Sequence, residues 1–255
     1  MPRSSLPWGL RRRWPEMSGL VIDLETKRSF GEVGGRGRSD RLGVSLVGSY
    51  HYSDDRYACY REEQLSQLIP ILRAADPVIG FNLLGFDYPV LAGEVGNWVY
   101  RLPTVDLMLE VKRTLGRRVS LNALARATLG ACKSGDGLDA LRYYREGDWQ
   151  ALERYCLDDV RITKELYDFA LEHHCLFIDK AGRKTPVPLR FASSELGKLF
   201  LDASRTKGSI LMNYGGKERL VDIYSFDGTL IRGYCHLRRA RLTFRLDRVE
   251  SATAS

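Results

Sequence analysis

Apolar positions along the chain form two kinds of pattern, short continuous runs and longer segments that repeat every three to four residues. Residues 19–23 (GLVID) are an apolar run ending in acid, the pattern of a buried strand whose carboxyl end enters a polar place. The Gly/Arg-rich stretch 31–38 reads as a loop. Segments 41–52 and 57–60, rich in Val, Leu and Tyr, predict two further strands. Leu65, Leu68, Ile69 and Leu72 keep helical spacing until Asp76-Pro77 breaks it, and 78–81 predicts another short buried strand. A helix is expected to begin near Phe86. Helical patterns also run over 105–115 and 120–129, with Ser120 placed to cap the second and Gly130 to end it. Residues 149–171 predict a long helix.

Beyond this, 180–188 (KAGRKTPVP) is a charged, Pro-containing break and the best candidate for a linker. One short helix is expected over 195–203, then strands over 209–214, 219–223, 229–237 and 242–246. Gly215-Gly216 and Asp227-Gly228 supply hairpin signals between them. Strands followed by helices interleaved with a strand argue for an α/β or mixed-sheet layer, and the remainder for a small β-rich module.

Composition narrows the picture. With 255 residues, 44% of them hydrophobic, the chain can bury a substantial core. A net charge of +7 and a pI of about 9.2 favour a polyanionic partner such as nucleic acid. Five scattered cysteines without a CxxC pair argue against a zinc site and fit a reduced, cytosolic setting. No apolar run approaches the roughly 18 residues of a membrane span. The N-terminus, with Arg11, Arg12 and Arg13, reads as a basic tail and lacks the apolar segment of a secretory signal.

Carboxylates carry the candidate chemistry. Asp23 and Glu25 stand two apart on a strand end and so project to one face. Asp87 follows a turn made by Asn82 and Gly85. Tyr155 and Asp159 share a helix face at i and i+4. Asp158 competes for the second role but lies about 100° further round the helix, whereas Asp159 shares its face with Tyr155 and Thr163. Taken singly, these are a solvated strand end, a helix cap and a core tyrosine beside an exposed acid. Together they suit hard divalent cations, which take oxygen ligands, and two such ions about 4 Å apart can clamp a phosphodiester.

The segments VIDLET, GFNLLGFDYPVL and YCLDDVRIT resemble the three motifs of the DEDD exonuclease superfamily. The Tyr-x-x-x-Asp third motif resembles its DEDDy branch, which includes the proofreading domains of DNA polymerases. The resemblance covers roughly 18–178, and all four acids and the tyrosine match. It implies a ribonuclease H-like mixed sheet flanked by helices and a 3′→5′ exonuclease acting on single-stranded DNA or RNA. It further implies two Mg²⁺ or Mn²⁺ ions held by Asp23, Glu25, Asp87 and Asp159, with Tyr155 orienting the attacking water and Glu25 reaching the terminal 3′ hydroxyl. Asp106 is assigned no catalytic role, and Lys133 is read as solvated rather than phosphate-bound.

Arginines 238, 239, 241, 245 and 248 crowd the C-terminal segment. GYCHLRRARLTFRLDRVES resembles the second half of a WYL domain, a small Sm/SH3-like β-barrel linked to binding of nucleotides or single-stranded nucleic acid. The Trp-Tyr-Leu triplet itself is absent, with IRGYC near its place. The resemblance makes Arg219, Tyr234, His236, Arg238 and Arg245 candidate contacts for a nucleic-acid or nucleotide ligand. The expected organisation is a tail over 1–17, an exonuclease domain over 18–178, a linker over 179–194 and a β module over 195–250. A non-catalytic nucleic-acid-binding or sensor protein and a structure-specific endonuclease stay open.

Overall fold

The computed structural model describes residues 18–131, 137–173, 175–189, 195–226 and 230–255. The basic tail, Lys133 and Asp227-Gly228 lie outside the described residues. The first sheet contains β1 (Leu20–Thr26), β2 (Val44–His51), β3 (Arg56–Arg61), β4 (Val78–Gly80) and β5 (Thr104–Asp106), in the order β3-β2-β1-β4-β5. The first three strands are antiparallel neighbours, whereas β1, β4 and β5 run parallel. Helices α1 (Leu65–Ala74) and α2 (Asp87–Val95) connect β3 to β4 and β4 to β5. Then come α3 (Leu107–Leu115), α4 (Leu121–Leu129), α5 (Gly137–Glu146) and the 25-residue α6 (Trp149–His173).

Strand β1 explains the continuous apolar run. Leu20, Ile22 and Leu24 pack with Leu68, Leu72 and Leu91 on one side of the sheet. Val21 packs with Leu124, Val160 and Leu166 on the other. A strand covered on both faces needs apolar residues at every position, and the acids begin only where that cover ends. Helix α6 comes very close to the sheet at Gly48, where an added Cβ would stand 2.7 Å from Cys156 Sγ and 3.1 Å from Val160 Cγ2. Gly48 is the partner of Asp23 across β1 and β2.

Two local expectations are corrected. The helix over 105–115 divides, because Asp106 is extended (φ −101°, ψ 102°) and its side chain caps α3 through the Leu109 N–H. The break over 180–188 is most of a hairpin, β6 (Cys175–Lys180) with β7 (Arg183–Pro188), turning at Ala181 and Gly182 with φ of 53° and 76°. Leu176, Ile178, Val187 and Leu189 carry the hairpin into the core beside α4 and α6. The charge and proline of this segment belong to an edge strand, which resembles a linker in composition.

The C-terminal part has α7 (Glu195–Thr206) packed on β8 (Ser209–Tyr214), β9 (Glu218–Phe226), β10 (Leu230–Cys235), β11 (Ala240–Arg245) and β12 (Val249–Ala254). Their order is β11-β10-β9-β8-β12, all antiparallel. The sheet is open, since no pairing joins β11 to β12 among the described residues, and the expected barrel closure is not seen. No described helix is long and apolar enough to cross a membrane.

Candidate metal centre

The carboxyl ends of the parallel strands β1, β4 and β5 lie at one end of the sheet. Asp23 and Glu25 point from β1 toward α6. One carboxylate oxygen of each and Cys156 Sγ all lie within 4.8 Å of one another. Donors sharing one cation at 2.0–2.6 Å lie no more than about 5 Å apart, so the two carboxylate oxygens fit a common ion. Cys156 Sγ is 3.4 Å from the Asp23 carbonyl oxygen and 3.9 Å from Asp23 Oδ2. Burial holds the Cys156 thiol well above its usual range, and the charges of Asp23 and Glu25 add to that.

Asp87 opens α2 and is 3% exposed. Strand β4 pairs only with Leu20 and Val21 of β1. That leaves the Leu24 amide, between Asp23 and Glu25, free to bond the Asp87 carboxylate. Asp87 also feels the charges of Asp106 and Asp159. Asp159 is 4% exposed on α6, with Tyr155 and Thr163 buried on its face. Asp158 lies outward and accepts from Arg161 at 2.6 Å. Tyr155 packs with Leu46, the partner of Glu25 across β1 and β2. Asp23 and Glu25 thus lie beside α6 at Cys156, and Asp87 lies within electrostatic reach of Asp159.

The main groups acting on the buried Asp87 carboxyl are two backbone amides and two other acids. A buried carboxyl facing two other acids suits a hard divalent ion. Burial, aided by Asp106 and Asp159, pushes the Asp87 carboxyl up to about 8 against the pull of the amides. In an unfolded chain it would titrate near 4, so its contribution to stability is full below about pH 4 and is lost as pH rises through 8. Metal-free protein should therefore lose stability between about pH 5 and pH 8, and Asp87→Asn should flatten that slope. Thermal unfolding in chelator across this range measures it, and equal slopes for both proteins would refute it.

Cys156, beside Asp23 and Glu25, was not among the residues expected from the sequence, and Asp106, which acts on the Asp87 carboxyl, had been assigned no catalytic role. The i and i+1 placement of Cys156 after Tyr155 was the only signal for it. The five C-terminal candidates do not form one group. Arg219 stands opposite the buried Met212, and its Nε donates to the Tyr214 carbonyl at 3.4 Å. The Arg245 backbone N–H donates to Tyr214 Oη at 3.4 Å. Tyr234 and His236 stack edge-to-face at 5.3 Å, and His236 meets Asp222 at 2.9 Å. The Ser209 hydroxyl and then His236 hold the Asp222 carboxyl below its usual range. Arg238 is exposed in the turn after β10.

The chain belongs to the RNase H superfamily, whose family model matches residues 35–171, just over half of its length. Members of this superfamily are usually nucleases that use divalent metals. The match begins beyond Asp23 and Glu25 and takes in Asp87, Tyr155 and Asp159. No curated protein matches the chain. Among solved structures, "Proteasome accessory factor B/C (PafBC) of Arthrobacter aurescens" is 25% identical over 54% of this chain and 20% of that one. The TM-score is 0.24, too low to imply a shared fold.

Proposed function

We propose that the protein is a metal-dependent 3′→5′ exonuclease of the DEDDy type acting on single-stranded nucleic acid. The observation that supports this reading is the pairing of Asp23 with Glu25 beside α6, together with a buried Asp87 that interacts with the Leu24 amide between them and feels the charge of Asp159. These four carboxylates would hold two Mg²⁺ or Mn²⁺ ions. Such ions, when bound, neutralise phosphoryl charge and make water a nucleophile at neutral pH. Tyr155, fixed by its packing on Leu46 and Leu152, orients the attacking water through its hydroxyl. Glu25, nearest the open end of β1, reaches the terminal 3′ hydroxyl.

The C-terminal unit is proposed as a WYL-like, Sm/SH3-like module that binds nucleic acid or a nucleotide, or regulates the nuclease. Its last strand lies beside its first in a five-stranded antiparallel sheet. Tyr234 and His236 are the candidates for stacking a base. Packing of hairpin β6–β7 against α4 and α6 supports counting it with the first unit.

End-labelled linear and circular single strands of DNA and RNA, with Mg²⁺, Mn²⁺ or chelator, test the reading. Mononucleotide release from 3′ ends, only with metal and only from linear strands, is expected. Cleavage of circles would make the protein an endonuclease, and metal-independent binding without cleavage would make it a sensor.

A further inference from the structure

We propose that Asp106 is a positioning residue of the metal centre, holding the loop that presents Asp87; the proposal rests on the metal-dependent reading above. Asp106 is the last residue of β5 and is 4% exposed. Its Oδ1 accepts the N–H of Asn82 at 2.9 Å and of Leu109 at 3.1 Å. Its Oδ2 accepts the N–H of Leu84 at 3.1 Å.

Only the Leu109 bond is a helix cap, and a serine would serve equally well there. The other two bonds cross 22 and 24 residues of sequence to the segment between β4 and α2. They are possible because Gly80 and Asp106 are register partners in the parallel pair β4–β5, so both strands deliver their chains to the same place.

The loop is tightly wound and has little slack. Asn82 is left-handed (φ 69°), and its carbonyl accepts both Gly85 N–H at 3.0 Å and Phe86 N–H at 2.9 Å. A Cβ at Gly85 would stand 2.4 Å from Asn82 Oδ1. Wound this way, the loop turns the Asn82 and Leu84 amides toward β5. A carboxylate can accept from both and still cap α3, because it has two acceptor oxygens and no donor. Asparagine keeps an oxygen in place of Oδ1 but sets an NH₂ against the Leu84 N–H. Serine keeps the cap and reaches neither loop amide.

Groups that bond and orient metal ligands typically contribute about 10- to 100-fold in metal affinity. Asp106→Asn and Asp106→Ser, measured beside wild type, Asp23→Ala and Ser120→Ala, test the proposal by Mn²⁺ calorimetry and thermal unfolding. Ser120 caps α4 through Ala123 N–H and touches no loop of the centre, so its variant reports a lost cap alone. Both Asp106 variants are expected to weaken Mn²⁺ binding about 10- to 100-fold, with Ser120→Ala leaving it unchanged. If one fails to fold, the other carries the test, since each keeps a capping oxygen. Wild-type affinity in the Asp106 variants, with binding lost in Asp23→Ala, would overturn the positioning role and leave the nuclease reading standing. No Mn²⁺ binding by wild type would sink both.

Discussion

Asp23→Ala is expected to slow metal-dependent cleavage about a thousandfold, equivalent to roughly 4 kcal/mol of transition-state stabilisation. The side chain projects toward α6 beside Glu25 and Cys156, outside the apolar clusters, so its loss opens no core cavity. Removing one of the crowded carboxylates also relieves repulsion in metal-free protein, and thermal stability in chelator should hold or rise. The variant thus separates chemistry from folding. Cleavage rates with saturating Mg²⁺, beside a thermal unfolding curve in chelator, measure both. Undiminished cleavage by Asp23→Ala would remove the acids from the reaction.

Gly48→Val is expected to lower both stability and activity, for a different reason. The added Cβ would meet Cys156 Sγ at 2.7 Å and Val160 Cγ2 at 3.1 Å, and the backbone carbon of Cys156 at 3.5 Å. Those contacts lie on successive turns of α6, so no single side-chain rotation relieves them. Overpacking of this kind costs about 1–3 kcal/mol, or roughly 2–12 °C in thermal midpoint for a chain of this size. Relief by lifting α6 would draw Tyr155 and Asp159 away from Asp23 and Glu25. A displacement of about 1 Å at a reacting centre can reduce rate about 100-fold. The milder Gly48→Ala tests the cause, because Cys156→Ala removes the nearest obstacle and should recover part of the loss. A double-mutant cycle without coupling would show that the two residues do not compete for that space.

Much of the architecture was legible because its signals are local. The run at the start of β1, the helical repeats of α1, α4 and α6, and the caps at Ser120 and Gly130 depend on residues within a few positions of one another. The same holds for the paired spacing of Asp23 with Glu25 and of Tyr155 with Asp159. Helix α5, hairpin β6–β7 and strand β12 were not read. Strand β12 (VESATA) is held chiefly by its pairing with β8, which no nearby residue announces.

The sequence by itself determined which segments are helix or strand over most of the chain, which side chains carry oxygen donors, and on which face of their own element those donors stand. Whether these faces meet is decided only in the tertiary structure. That depends on strand order, on the close approach at Gly48 and on backbone bonds such as those of Asp106 to Asn82 and Leu84. It also divided the C-terminal arginines and aromatics between two places. Spacing along a chain fixes direction around one strand or helix, whereas convergence is set by packing and hydrogen bonds between residues far apart in sequence, and these leave no periodic trace.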